Sequence, residues 1–127
     1  LKADRAGFWG GFFQDFFGVG KVKRSVSDEV LEWTRHMAMQ AGLNATLKCA
    51  EAFGTTDLRP DMKAFTMPTL IIHGQQDVIV PIEATSRKAA KAIPHATLIE
   101  YEDAPHGIPA SHKERLSADV LNFLKVT

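Results

Sequence analysis

Cysteine is nearly absent from this chain. Cys49 stands alone, so no disulfide can close within it, and without a Cys/His cluster at metal-ligand spacing the residue reads as a small buried side chain. One thiol suits a reducing, cytoplasmic compartment. No apolar run approaches the roughly 20 residues needed to cross a bilayer, which argues against a membrane partner. The opening Leu1-Lys2-Ala3-Asp4-Arg5 has no basic segment followed by an apolar one, so it does not read as a leader. An initiator Met is missing too, and the expectation is a chain that starts inside a longer gene. An excess of charge is also lacking: 15 basic and 15 acidic residues cancel to a formal net charge of zero. There is then no broad basic field to neutralise phosphates, and nucleic acid is a poor partner.

What is present is ordinary globular composition. With 45% apolar and 24% charged residues over 127 positions, the chain can build one real core and is not a disordered tail. Two regions of different character meet near Pro60, suggesting a helical segment over 1–59 and an alternating segment over 60–127. From Ala6 to Gly18 the aromatics Phe8, Trp9, Phe12, Phe13, Phe16 and Phe17 recur at helix spacing, until Gly18 and Gly20 stop the pattern. A second helix is expected from Ser27 to Ala41, capped by Ser27 with two acids in its first turn, with Val30, Trp33, Met37 and Ala41 on one face. A third is expected from Asn44 to Phe53, with Leu47 and Ala50 inward and Gly54 as its stop.

Beyond Pro68 the pattern changes. Thr69-Leu70-Ile71-Ile72-His73 is apolar on both faces and reads as a buried strand of a parallel sheet ending at Gly74. Pro81 opens a helix expected over Ile82–Ile93, Ala96–Tyr101 is a second strand, and a last helix is expected from about Ser111 to Leu124 with Leu116, Val120, Phe123 and Leu124 as its stripe. Strand, helix, strand and helix in that order make a right-handed parallel crossover, so the fold class is α/β.

Two motifs carry chemistry. Pro68 to Pro81 contains His73-Gly74-Gln75-Gln76-Asp77-Val78-Ile79-Val80-Pro81, and Ala104-Pro105-His106-Gly107 follows, with His106 placed 29 residues after Asp77. In an open parallel sheet the loops beyond the C-terminal strand ends line the ligand crevice, so side chains in two such loops can converge. Taken singly, Asp77 reads as a turn residue and His106 as a loop or capping histidine. The two motifs in this frame closely resemble the last two strand ends of α/β-hydrolases. The subgroup they look like is the cofactor-free, non-haem haloperoxidases or perhydrolases and their aryl-esterase relatives, and the resemblance extends over the whole chain. It implies a C-terminal part of that fold, a helical cap segment over 1–59 followed by the end of the core.

The resemblance implies that Asp77 is the acid and His106 the general base of a catalytic triad. An Asp that accepts the Nδ1 proton fixes the imidazole tautomer and leaves Nε2 to take a serine proton. The nucleophile is missing: Ser25, Ser27, Ser86, Ser111 and Ser117 all lie outside any G-x-S-x-G turn. The reading is thus of a serine esterase or perhydrolase piece that supplies acid and base but not serine, and that is inactive alone. In the parent enzyme, serine would attack a small ester and water or hydrogen peroxide would resolve the acyl-enzyme, with no cofactor and no metal. Trp33 and Met37 resemble residues that roof the acyl pocket in that family, although an aromatic stripe at helical spacing is more often core. His36, His73, His95 and His112 show no metal-ligand spacing and read as structural or exposed, with His73 shaping the local turn. Asp103 competes with Asp77 as a partner for His106 from a worse frame. Lys21, Lys23 and Arg24 read as a solvated loop. The alternative from another class is a stable half-protein acting as a self-assembling or complementation module. A complete, independent binding protein is a third reading. In either leading case the expected partner is a second copy, with a dimer favoured, or the missing half.

Overall fold

A computed structural model describes residues 1–23 and 26–126. Ser25, and Arg24 of the basic cluster, lie outside the described residues; within that cluster Lys21 pairs with Asp15 at 2.7 Å on the surface.

Helix α1 (Arg5–Phe16) starts where extended Asp4 accepts the Gly7 N–H at 2.8 Å, satisfying one donor that the first turn leaves unpaired. It stops where Gly18 turns left-handed, at φ +67°, a conformation that a side chain would strain. Helix α2 (Asp28–Gln40) is capped by Ser27, whose Oγ accepts from Val30 N at 3.4 Å, and Asp28 and Glu29 sit at its positive end. Its other end is tied down by Arg5, which donates to the carbonyls of Ala38 and Ala41, groups that have no partner within the helix. Between α1 and α2, Phe13, Phe17 and Val26 form a buried cluster with Val30, Leu31 and Ala38 packed on it.

That packing corrects the expected stripe on α2. The covered face is Val30, Leu31 and Ala38, whereas Trp33 and Met37 are 63% and 43% exposed. Helix α2 lies mainly against α1, and α1 covers less width than α2 offers. Helix α3 (Leu43–Thr55) runs through Gly54, which was expected to end it; a glycine in a terminal turn weakens a helix by only about 1 kcal/mol. Cys49 is exposed on α3 and not buried as expected, because little of the protein packs over that face.

A short 3-10 helix (Arg59–Ala64) leads into β1 (Thr69–Gly74), α4 (Ser86–Ala92), β2 (Ala96–Tyr101), α5 (Ile108–Ser111) and α6 (Lys113–Val126). The helix expected from Ile82 begins only at Ser86, after a turn in which Ala84 and Thr85 donate back to Pro81 and Ile82. The expected C-terminal helix is α6, starting two residues later than expected, with the short α5 ahead of it and a break at His112, where the backbone leaves helical geometry at φ −133°. Strands β1 and β2 are parallel, in register from Thr69 opposite Ala96 to Gly74 opposite Tyr101. Along β1 all but Gly74 are half-buried, not fully buried as the apolar run suggested, since β2 is its sole strand neighbour among the described residues. A second core cluster of Tyr101, Ala104 and Ile108, joined by Ile72, Ile99 and Leu116, anchors the end of β2.

Candidate active site

Parallel pairing decides which side chains meet. Because Gly74 lies opposite Tyr101, the loops after β1 and β2 leave the sheet at the same end. They are laced together by Gln75 N–H to Tyr101 O at 2.9 Å and Gln76 N–H to Ala104 O at 3.1 Å. The first loop turns tightly, with Asp77 N–H donating to Gly74 O at 3.2 Å. Asp77 Oδ1 then accepts from Ile79 N and Val80 N at 2.9 and 2.8 Å, an arrangement in which the side chain itself closes the next turn. The second loop passes through fully buried Pro105 and presents His106.

The two predicted residues are in contact. His106 Nδ1 donates to Asp77 Oδ2 at 2.7 Å, with the Asp77 side chain 3% exposed and that of His106 33% exposed. Among the described residues His106 Nε2 has no hydrogen-bond partner, which leaves it available as a proton acceptor. Asp103, the competing acid, lies against His112 at 3.2 Å instead.

Helix α1 supports the histidine loop. Gly107 N–H donates to Phe16 O at 2.9 Å, and a Cβ on Gly107 would lie 2.6 Å from the Phe17 ring, so only glycine allows this approach. Phe16 meets the His106 ring edge to face, with centroids 4.7 Å apart. The periodicity of the aromatic stripe signalled Phe16 as apolar, but nothing local marked it as the residue against the histidine. Trp33 lines a shallow hollow with Asp28, Glu29, Glu32 and His36, and Met37 is exposed on α2.

A third group reaches the carboxylate that the spacing of residues did not reveal. His73 Nε2 lies 3.1 Å from Asp77 Oδ2 and 2.9 Å from Val80 O, while its Nδ1 is 2.6 Å from Ser86 Oγ. Behind the site, Glu100 opposite His73 is gripped by Arg87 at 2.8 and 2.5 Å and by Gln75 at 2.7 Å, and these partners hold its carboxyl down to about 2. Tyr101, buried and donating to Asp119 at 2.5 Å, is pushed up to about 12, by desolvation first and that bond second.

A buried carboxylate holds the Nδ1 of a partly exposed histidine at the end of a parallel sheet, an arrangement in which Nε2 can accept a proton. The chain belongs to the α/β-hydrolase fold family, which matches residues 7–112, and it corresponds to a C-terminal part of that fold. It is 38% identical over 126 residues to a non-heme chloroperoxidase of Kitasatospora aureofaciens, covering 98% of this chain and 46% of that protein. It is 34% identical over 111 residues to a bifunctional esterase/perhydrolase of Acinetobacter calcoaceticus, covering 87% and 40%. Among solved structures, a bromoperoxidase from Bacillus anthracis superposes with a TM-score of 0.90 at 35% identity, over 96% of this chain and 44% of that one. The chain thus spans under half the length of the relatives it matches. No helix among the described residues is long and apolar enough to cross a membrane.

Proposed function

We propose that this chain carries the acid and the general base of an esterase or perhydrolase, Asp77 and His106, and that its nucleophilic serine comes from outside these 127 residues. The observation that carries this reading is the 2.7 Å contact from His106 Nδ1 to the buried Asp77 carboxylate, with Nε2 left free of partners among the described residues. Asp77 would hold the Nδ1–H tautomer and stabilise the imidazolium; Nε2 would accept the serine proton during attack on an ester carbonyl and return it to the leaving alcohol. Water or hydrogen peroxide would then resolve the acyl-enzyme, giving an acid or a peracid. The helical segment over 1–59 would serve as a cap, with Trp33 and Met37 facing the acyl group once the site is complete.

The open edge of β1 supports a requirement for a partner. Among the described residues, pairing with β2 alone leaves a row of backbone N–H and C=O groups on its other side, beside a strongly apolar run. The complementary hydrolase segment would supply both the strand and the serine. A second reading, a self-assembling half-protein without activity of its own, is favoured by the large apolar side chains left exposed, Phe53 at 80% and Met67 at 56% among them. In that reading a twofold dimer covers them.

The test is complementation. The chain alone, and the chain mixed with the N-terminal half of the Kitasatospora chloroperoxidase, would be assayed for p-nitrophenyl acetate hydrolysis and for peracid formation from acetate and peroxide. Activity should appear in the mixture alone and vanish with His106→Ala, since loss of one triad member in a comparable site removes about six powers of ten in kcat. Serine-phosphonate-sensitive activity in the chain alone would refute the proposal, as would a mixture indifferent to His106→Ala. A mixture that stays inactive while light scattering shows a stable homodimer would favour the second reading.

A further inference from the structure

The hydrogen bonds around Asp77 assign a role to a histidine outside the dyad: we propose that His73, held in one tautomer by Ser86, is a positioning residue that fixes the Asp77 carboxylate for His106. The proposal rests on the reading of Asp77 and His106 as acid and base. Proton accounting carries it. Val80 O and the Asp77 carboxylate can only accept, and both face His73 Nε2, at 2.9 and 3.1 Å, so Nε2 carries the proton. In the neutral ring Nδ1 is then an acceptor, and the Ser86 hydroxyl at 2.6 Å is its donor. Ser86 and Val80 O together therefore select the tautomer that keeps Nε2–H on Val80 O and its positive edge toward Asp77.

The result is a carboxylate held by three hydrogen bonds with a histidine edge against it. Oδ1 takes Ile79 N and Val80 N, Oδ2 takes His106 Nδ1, and His73 Nε2–H, bonded to Val80 O, lies 3.1 Å from Oδ2. Val80 closes a ring, since its N–H goes to Asp77 and its C=O receives His73. With side-chain exposures of 3% for Asp77 and 11% for His73, bulk water has little access to replace a missing donor. Removing His73 Nε2 would release Val80 O, loosening the Val80 N–H that holds Oδ1, and would take the positive ring edge away from Oδ2, whose hydrogen bond comes from His106. The charged groups nearest His73, besides Asp77, are Glu100 across the strand pair and Arg87, which neutralises Glu100. Neither competes for the Nε2 proton, because Nε2–H is already committed to Val80 O.

Ring-nitrogen NMR on the full 127-residue chain reads this directly, at about pH 8, where an ordinary imidazole is neutral. In the unmodified chain His73 should be protonated at Nε2 with Nδ1 bare, and Ser86→Ala should turn that into a mixture of tautomers. The His106 Nδ1 proton should exchange about ten-fold faster in His73→Leu, the equivalent of the one hydrogen bond to Val80 O that is lost. In His73→Gln, whose amide Nε2 can occupy the place of the ring Nε2, it should stay within about three-fold of the original rate. The Gln and Ser86→Ala variants decide the matter if the Leu variant fails to fold. His73 protonated at Nδ1, or a tautomer indifferent to Ser86→Ala, overturns the proposal, as does a His106 proton indifferent to His73→Leu. These results would leave the hydrolase reading intact. A His106 Nδ1 proton that is unprotected in the unmodified chain would instead remove the dyad, and both readings with it.

Discussion

Replacing Asp77 by Asn changes one oxygen to an NH2 group with almost no change of shape, and the surroundings determine what that costs. Oδ1 already receives two backbone N–H groups, from Ile79 and Val80, so the amide must keep its oxygen there and turn its NH2 toward His106 and His73. Two ring N–H donors then face a donor. His106 can escape by moving its proton to Nε2 and accepting at Nδ1, which exchanges a charge-assisted bond for a neutral one. His73 resists, because Ser86 donating to Nδ1 and Val80 O accepting from Nε2 at 2.9 Å together keep its proton on Nε2. One charge-assisted bond is downgraded and a favourable His73 contact turns unfavourable in a site that is 3% exposed, so the loss of stability should be about 2 kcal/mol, taking roughly 1.5–3 for a bond to a charged group. Urea unfolding followed by far-UV circular dichroism, with an unchanged m-value, would measure it. In the complemented enzyme the wrong tautomer at His106 should lower kcat by about 10⁴, as it does in a comparable triad. A variant within about 0.5 kcal/mol of the parent, inside the range of an ordinary surface substitution, would refute the hydrogen-bond accounting.

Three further outcomes follow from contacts around the site. Gly107→Ala sets a methyl against the buried Phe17 ring at 2.6 Å and should destabilise by about 1–3 kcal/mol, while nitrogen-15 shifts at His106 report displacement of its loop; an unchanged melting point and spectrum would contradict the close approach. Glu100 is held at about 2 against an ordinary 4.5, so its contribution is fully present above about pH 4.5 and is lost as pH falls toward 2. Acid titration of stability should therefore be shallower in Arg87→Met than in the parent over that window, and equal slopes would show that the Arg87–Glu100 pair does not act in solution. Tyr101→Phe removes the hydroxyl bond to Asp119 while leaving the ring, and Arg115 above it, in place; thermal unfolding should register a loss of about 1 kcal/mol, and a gain in stability would be the contrary result.

Local signals in the sequence determined the elements and the end of the sheet where chemistry belongs. Ser27 was available as a cap, Gly18 as a stop, and Thr69 to His73 as a strand, because caps, left-handed turns and strand periodicity act within a few residues. Asp77 and His106 sit just beyond recognisable strand ends, but each alone read as an ordinary loop residue, and it was the resemblance of the two motifs together that singled them out. Packing decided everything that joins distant positions. The register of Gly74 with Tyr101 brought Asp77 to His106 and left Asp103 to His112, and the end of α1 placed Phe16 against the histidine some 90 residues later in the chain. The exposure of Cys49, Trp33 and Met37 is likewise a matter of which neighbours cover a face, and a helical pattern shows that a face is apolar without showing what lies on it. His73 read as local architecture because its role is set by three partners, Ser86, Val80 and Asp77, that only the turn geometry gathers.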